Sequence, residues 1–217
     1  MTDASPTTAD ALMRVSPVIP VLTIERLEDA VPLARALVAG GLPVLEVTLR
    51  TPVALEAITR MAEAAPEAIV GAGTVLNPGD YERAAKAGAR FIVSPGLTEP
   101  LIAAARAAPL PFLPGVATAS DLMRGLDAGL NRFKFFPAET SGGAPALKAL
   151  YGPFGECRFC PTGGVGENTA PAYLSLPNVL CVGGAWVAPA DAVRAGDWDR
   201  ITTLARAAAA LRQEPVA

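Results

Sequence analysis

The chain has 217 residues, a formal net charge of −3 and no histidine. The 18 basic and 21 acidic residues are interspersed, so no basic segment predicts nucleic-acid binding. The absence of histidine excludes imidazole metal sites and every nucleophile system that depends on a histidine base. The amino terminus lacks the apolar region of a signal peptide, and no apolar run is long enough to span a bilayer. We therefore expect a cytoplasmic protein with no membrane or nucleic-acid partner.

Short apolar runs alternate with alanine- and leucine-rich amphipathic stretches along the whole chain. Eight runs are predicted as strands: Val18–Leu22, Val44–Leu49, Ile69–Thr74, Phe91–Ser94, Phe112–Val116, Phe133–Phe136, Arg158–Thr162 and Val179–Val182. Each is followed by a predicted helix: Leu27–Ala39, Pro52–Ala64, Pro78–Ala87, Glu99–Ala107, Ala119–Ala128, Ala144–Leu150, Asn168–Leu174 and Trp198–Leu211. This alternation indicates parallel strands joined by right-handed crossovers.

Glycines and capping residues support these helix boundaries. Gly40, Gly88 and Gly129 follow predicted helices, and Asn77 and Thr98 precede helices that have proline near their first turn. The composition does not shift along the chain, so we predict one α/β domain over residues 11–217 after a flexible extension over residues 1–10. Eight strand–helix units favour a single-domain (β/α)₈ TIM barrel. An open doubly wound sheet is the alternative.

Lys134 is the first candidate for chemistry. It is one of only three lysines and lies in an aromatic run predicted as the sixth strand, where a free ammonium is costly. Because histidine is absent, a desolvated lysine is the strong nucleophile that remains. The alternative is a lysine whose stem is buried while its amine reaches water.

Glu46 is the second candidate. The period of two in the second strand puts Glu46, Thr48 and Arg50 on one face, which makes the carboxylate a general acid/base candidate with an anion-binding arginine nearby. A structural ion pair, for example with Arg132, is the alternative. The same period places Lys134 on the inward face of its strand.

Two glycine pairs follow the last two predicted strands. Gly163-Gly164 comes after the seventh strand, and Gly183-Gly184 comes after the eighth. Loops at these positions of a barrel commonly bind phosphate through backbone N–H groups. A tight turn would explain either pair alone, but the two together favour phosphate binding.

The cysteines predict no cofactor site. Cys157 and Cys160 form a C-x-x-C pattern, but their separation in a strand puts the two side chains on opposite faces. With no histidine and only one further cysteine, a zinc site lacks ligands. We expect buried, reduced thiols and no metal.

Six ordered motifs between Val18 and Arg212 are similar to those of one enzyme family. They are Leu45–Arg50, Gly71–Val75, Ser94–Gly96, Phe133–Glu139, Phe159–Gly164 and Gly183–Trp186. In these segments the chain resembles the 2-keto-3-deoxy-6-phosphogluconate aldolases and their 4-hydroxy-2-oxoglutarate aldolase relatives.

The resemblance implies a trimeric class I aldolase that cleaves 2-dehydro-3-deoxy-6-phosphogluconate to pyruvate and D-glyceraldehyde 3-phosphate without a cofactor. Lys134 would be the Schiff-base lysine and Glu46 the acid/base. The remaining implied contacts fall into three groups: Arg50, Thr74 and Thr162 for the pyruvate moiety, Pro95 and Phe136 lining the site, and Gly163, Gly164, Gly183, Gly184 and Ala185 for the phosphate.

Ala185 departs from the family pattern, which commonly has serine there. The missing hydroxyl leaves room for a 4-hydroxy-2-oxoglutarate aldolase or another pyruvate aldolase that uses the same lysine. An isomerase or decarboxylase barrel, in which Lys134 acts only as a charge, is a second alternative. A catalytically silent phosphosugar-binding protein is a third. The sequence leaves the C4 stereochemistry and the pathway open.

Overall fold

The computed structural model describes residues 6–108 and 110–211. Residues 1–5 of the predicted extension and Arg212, the last residue of the family resemblance, lie outside this part. The helix α1 begins at Ala9, so the last two residues of the predicted extension are helical.

Nine short strands form two parallel sheets in the described part of the chain. The larger sheet contains β1 (Val18–Leu22), β2 (Val44–Thr48), β3 (Ile69–Gly73), β4 (Ile92–Val93), β5 (Phe112–Leu113) and β9 (Val182–Gly184). The smaller sheet contains β6 (Gly115–Val116), β7 (Arg132–Phe135) and β8 (Arg158–Pro161). The larger sheet has the order β5-β4-β3-β2-β1-β9, in which the last strand pairs with the first. Neighbours in the chain are neighbours in the sheet, which differs from the reversed order of a doubly wound sheet.

Helices connect the strands, as the sequence predicts. They are α1 (Ala9–Met13), α2 (Ala30–Ala39), α3 (Ala54–Ala64), α4 (Pro78–Lys86), α5 (Glu99–Ala107), α6 (Ala119–Asp127), α7 (Gly143–Tyr151), α8 (Ala170–Leu174), α9 (Ala190–Ala195) and α10 (Trp198–Ala209). Two 3₁₀ turns, Leu27–Asp29 and Glu139–Ser141, precede α2 and α7. The helices α1 and α9 are absent from the sequence prediction.

The fifth predicted strand, Phe112–Val116, is divided by Pro114 into β5 and β6. Proline has no N–H to donate to a neighbouring strand. Its carbonyl still accepts a hydrogen bond of 2.9 Å from the Lys134 N–H. As a result β5 pairs with β4, whereas β6 pairs with β7.

The last strand begins at Val182 rather than at the predicted Val179. Val179 makes only an isolated bridge with Phe159 of β8. The strand then continues through Gly184, and its three residues pair with β1. The second glycine pair is therefore part of β9, and the prediction that it follows the strand is wrong.

Alternate residues of the strands pack on opposite faces of the sheets. Val18, Leu45 and Ile92 belong to the large apolar cluster that includes the helices. Their chain neighbours Ile19, Val44, Phe91 and Val93 belong to a smaller cluster. It also contains Leu113, Cys160, Cys181 and the α1 residues Leu12 and Met13. Because side chains alternate along a strand, this smaller cluster lies on the face away from the larger helices. Leu12 and Met13 attach α1 to part of that face.

The three cysteines are free and buried. Cys157 packs in the large cluster and Cys160 in the smaller one, which agrees with the predicted opposite orientation of the two thiols. Burial, together with the neighbouring Cys160, raises the pKa of the Cys181 thiol well above its ordinary value. These thiols therefore act as small apolar side chains.

Candidate active site

An ion pair between Lys134 and Glu46 is the centre of the site. Lys134 is the third residue of β7 and Glu46 the third of β2, and they are 5% and 3% exposed. The Lys134 Nζ donates a hydrogen bond of 3.1 Å to the Glu46 Oε1. Phe133 and Phe135, which flank the lysine, pack in the large cluster, so Lys134 points to the opposite face as predicted.

This arrangement lets the lysine be neutral without leaving an isolated charge. A lone buried ammonium or carboxylate is costly, but a hydrogen-bonded pair has no net charge whether the proton lies on Nζ or on the carboxylate. Transfer of one proton from Lys134 to Glu46 would therefore produce a free amine and a carboxylic acid within one pair. These are the two groups that amine attack and acid/base catalysis require.

The glycine at the end of β3 makes room for Glu46. A Cβ atom on Gly73 would lie 2.1 Å from the Glu46 Oε1 and 2.6 Å from its Cγ. The Phe136 ring centroid is 5.2 Å from the Lys134 Nζ, within the range of a cation–π contact. Any side chain at position 73 would displace the carboxylate.

Arg132 is not the partner of Glu46. Its Nε donates to the Asp10 Oδ1 of α1 at 2.5 Å, and Asp10 also accepts a hydrogen bond from Arg14. Burial opposes ionisation of Asp10, but the two arginines lower its pKa below the ordinary value. The alternative of a Glu46–Arg132 ion pair is therefore wrong, because α1 supplies the carboxylate.

Arg50 and Thr74 lie together beyond the ends of β2 and β3. The Arg50 Nε donates a hydrogen bond of 3.2 Å to the Thr74 Oγ1. Thr74 has a φ of 59°, the one described non-glycine residue with a positive φ, and such strain is commonly retained at functional sites. Arg50 is exposed, so its remaining donors can bind an anion that approaches the Glu46–Lys134 pair.

Thr162 and Pro95 occupy the corresponding ends of β8 and β4. Thr162 is 5% exposed, and its Oγ1 lies 3.3 Å from the Cys160 carbonyl oxygen to which it donates. A Cβ atom on Gly183 would lie 2.3 Å from that Oγ1, so glycine is needed for β8 and β9 to approach each other. Pro95 is partly buried, and a Cβ on Gly115 would lie 2.2 Å from its carbonyl oxygen.

The first glycine pair forms a turn that only glycine adopts readily. Gly163 and Gly164 have φ values of 99° and 82°. The carbonyls of Thr162 and Gly163 accept hydrogen bonds from the N–H groups of Ala138 and Glu139, at 2.8 and 3.1 Å. Within residues 6–108 and 110–211, the Gly164 N–H has no hydrogen-bond acceptor, and Thr162, just before the pair, forms an isolated parallel bridge with Gly183.

The second glycine pair differs from the first because it lies in β9. Gly183 and Gly184 pair with Ile19 and Pro20 of β1. A Cβ on Gly184 would lie 1.7 Å from the Trp186 ring. The exposed Ala185 comes next and borders a cavity of about 430 Å³ between the ends of β1 and β9.

Three further residues contribute to the site, although sequence patterns did not assign them to it. Gly73 and Gly115 provide space for Glu46 and for the loop at Pro95, which only the strand packing reveals. The buried Thr48 donates to the Leu22 carbonyl at 2.9 Å and so ties β2 to β1. The sequence places Thr48 on the same strand face as Glu46, but it does not predict the Leu22 carbonyl as the hydrogen-bond acceptor.

Neither a metal site nor a membrane span is found in the described part of the chain. No group of three or more aspartate, glutamate or cysteine side chains within it could hold a metal ion. No helix within it is long and apolar enough to cross a bilayer.

The family model described as KDPG and KHG aldolase matches residues 9–204. The chain belongs to this aldolase family. It is 56% identical to the KHG/KDPG aldolase of Escherichia coli K12 over 202 residues, which cover 93% of this chain and 95% of that protein. It is 57% identical to the 2-dehydro-3-deoxy-phosphogluconate aldolase of Zymomonas mobilis over 208 residues, which cover 96% and 98% of the two chains.

Solved structures agree with this assignment. The KDPG aldolase of Legionella pneumophila, with pyruvate captured as a covalent carbinolamine, superimposes with a TM-score of 0.92 at 50% identity and covers 93% of this chain and 98% of that one. The aldolase of Z. mobilis with 3-phosphoglycerate gives a TM-score of 0.91 at 55% identity and covers 96% and 98%. The family resemblance expected from the motifs is thus confirmed.

Proposed function

We propose that this protein is a class I aldolase that cleaves 2-dehydro-3-deoxy-6-phosphogluconate to pyruvate and D-glyceraldehyde 3-phosphate. The observation that carries the proposal is the buried hydrogen bond of 3.1 Å between the Lys134 Nζ and the Glu46 Oε1. This hydrogen bond joins the buried Lys134 amine to the buried Glu46 carboxylate, and such a contact supports a role for the two groups as nucleophile and proton carrier. Relatives that share half or more of the sequence bear this activity in their names.

The reaction starts when Lys134 transfers its proton to Glu46 and attacks the C2 ketone of the substrate. Glu46 returns this proton to the hydroxyl of the resulting carbinolamine, which leaves as water, and the product is an iminium ion that serves as an electron sink. Glu46 then accepts the proton of the C4 hydroxyl, directly or through water, while the C3–C4 bond breaks. The bonding electrons move into the iminium, and glyceraldehyde 3-phosphate leaves.

An enamine of pyruvate then remains on Lys134. Glu46, which now holds the proton taken from the C4 hydroxyl, returns it to C3 and restores the iminium. Hydrolysis releases pyruvate and the free amine. Every step uses one amine and one carboxyl group.

The surrounding side chains bind the two ends of the substrate. Arg50, Thr74 and Thr162 hold the pyruvate moiety, while Pro95 and Phe136 line the site. Support comes from the Arg50–Thr74 hydrogen bond, which places a guanidinium and a hydroxyl side by side. The N–H groups of the first glycine turn, together with Gly183, Gly184 and Ala185, hold the phosphate.

We further propose that the two sheets close into one (β/α)₈ barrel. Hydrogen bonds from the Phe159 N–H to the Asn178 carbonyl, 2.8 Å, and from the Leu180 N–H to the Phe159 carbonyl, 3.1 Å, support contact between β8 and the segment before β9. At the other side, Pro114 alone separates β5 from β6. A crystal structure with unbroken strand pairing around the sheet tests this closure.

Family membership supports a homotrimer as the assembly. Sedimentation velocity should then give a single species with three times the mass of the chain. A monomer or dimer at micromolar concentration would contradict it.

The direct test of function is the rate of pyruvate release from 2-dehydro-3-deoxy-6-phosphogluconate, compared with 4-hydroxy-2-oxoglutarate. We expect a higher kcat/KM for the phosphorylated substrate, because its phosphate gains contacts at the glycine turn. Lys134→Met should abolish both activities. Higher kcat/KM for 4-hydroxy-2-oxoglutarate would identify the second activity in the family's description as the main one.

A further inference from the structure

Peptide geometry determines the direction in which the N–H groups of the Gly163–Gly164 turn point. In a trans peptide the C=O and the N–H of the following residue point in opposite directions. The carbonyls of Thr162 and Gly163 point toward Ala138 and Glu139, whose N–H groups they accept. The N–H groups of Gly163 and Gly164 therefore point away from that segment.

The side chain of Glu139 makes a second contact with the same turn. A Cβ atom on Gly164 would lie 2.5 Å from the Glu139 Cγ, so this side chain lies directly across the glycine. Glu139 itself belongs to the 3₁₀ turn after β7. The strand that carries Lys134 and the turn that offers its N–H groups are thus joined through one glutamate.

Tyr173 fixes the glutamate in this position. Its ring is 2% exposed in α8, and its Oη donates a hydrogen bond of 2.7 Å to the Glu139 Oε1. Burial and the neighbouring carboxylate raise the pKa of the Tyr173 hydroxyl, so it stays a donor throughout the working pH range. The hydrogen bond also occupies one oxygen of the Glu139 carboxylate, a negative group that lies beside the proposed phosphate site.

We propose that Tyr173 and Glu139 are positioning residues that hold the Gly163–Gly164 turn with its N–H groups directed at the substrate phosphate, and so set the preference for phosphorylated substrates. Neither side chain touches the reacting carbons. The inference rests on the proposed function, because it presumes that the turn binds phosphate.

Removal of the hydroxyl alone tests the proposal. Tyr173→Phe should raise KM for the 6-phosphate substrate by about three- to tenfold, the effect of one hydrogen bond, with kcat little changed. The inhibition constant of inorganic phosphate should rise by a similar factor. Exchange of the C3 protons of pyruvate, which has no phosphate, should stay within about twofold of wild type. A purely structural role would lower kcat and exchange together.

Substitutions of the glutamate complete the test. Glu139→Ala should raise KM at least as much as Tyr173→Phe does, because it also removes the Cγ that lies across Gly164, and the double variant should show no increase beyond that of Glu139→Ala, because Tyr173 acts through Glu139. Glu139→Gln keeps an oxygen acceptor for the tyrosine and should retain KM within about twofold. Tyr81→Phe is the matched control, since Tyr81 is also buried but its hydroxyl has no partner in the described chain.

Two results would overturn the inference: an unchanged KM in both Tyr173→Phe and Glu139→Ala, or additive effects in the double variant. Failure of the proposed function has a different signature. In that case wild-type protein would not form a borohydride-reducible adduct with pyruvate, whatever the effect of the Tyr173 substitution.

Discussion

Replacement of Gly73 with alanine perturbs the Glu46 carboxylate without changing either charged group. The new Cβ would lie 2.1 Å from the Oε1, 2.6 Å from the Cγ and 2.7 Å from the Cδ of Glu46. Non-bonded carbon contacts are most favourable at about 3.5–4.0 Å, so the side chain must move by about 1 Å or adopt another rotamer. Either movement breaks the 3.1 Å contact with Lys134.

The expected loss follows from this displacement. A shift of about 1 Å in a catalytic group can reduce a rate by about 10²-fold, whereas overpacking a core costs about 1–3 kcal/mol of stability. We expect Gly73→Ala to fold, to form the Schiff base slowly, and to lose about 10²-fold in exchange of the pyruvate C3 protons. Proton NMR in D₂O measures the exchange, and thermal melts followed by circular dichroism report on folding.

Gly152→Ala is the matched control. A Cβ at Gly152 meets only the Ala149 carbonyl at 3.8 Å, an ordinary contact, and the residue lies at the end of α7. Its exchange rate should equal that of wild type. Wild-type exchange in a folded Gly73→Ala variant would refute the argument that Glu46 must occupy this position.

Three further predictions concern other parts of the molecule. Glu46→Gln should still form the Schiff base but lose about 10²–10⁴-fold in C3 proton exchange, and near wild-type exchange would mean that another group moves the proton. Ala185→Ser should lower KM for the 6-phosphate substrate by up to about tenfold with kcat little changed, because it adds one donor; a flat or higher KM would show that this loop does not contact phosphate. Asp10→Asn should lower the free energy of unfolding by about 0.5–1 kcal/mol at neutral pH, since it weakens the contacts to Arg14 and Arg132. Because the pKa of Asp10 is lowered on folding, the difference from wild type should shrink as the pH falls below about 4, as urea titrations can measure; a difference independent of pH would contradict this.

The strands were predictable because their apolar runs are short and bounded by glycine, proline or polar residues. Val18–Leu22 and the helix Glu99–Ala107 have the predicted bounds. The errors in the predicted strand bounds arise where pairing with a neighbouring strand overrides the structural preference of the local sequence. Pro114 divides one strand, and Gly183-Gly184 extends another because glycine allows β9 to approach Thr162 and Trp186 closely.

The inward direction of Glu46 and Lys134 was predictable from the period of two, but their pairing was not. The relative stagger of β2 and β7 decides which inward side chains meet, and no local pattern encodes it. Arg132 was an equally possible partner on parity alone. Its actual partner, Asp10, belongs to α1, a five-residue helix that is too short for a periodic signal.

Reductive trapping with pyruvate and borohydride tests the central claim that Lys134 is the covalent nucleophile. The three lysines of the chain make the experiment decisive, because Lys86 and Lys148 lie on α4 and α7, away from the Glu46 carboxylate. Peptide mapping by mass spectrometry should find the reduced pyruvyl adduct on Lys134 alone, and none on a Lys134→Arg variant. An adduct on Lys86 or Lys148, or no adduct on the wild-type protein, would contradict the class I mechanism.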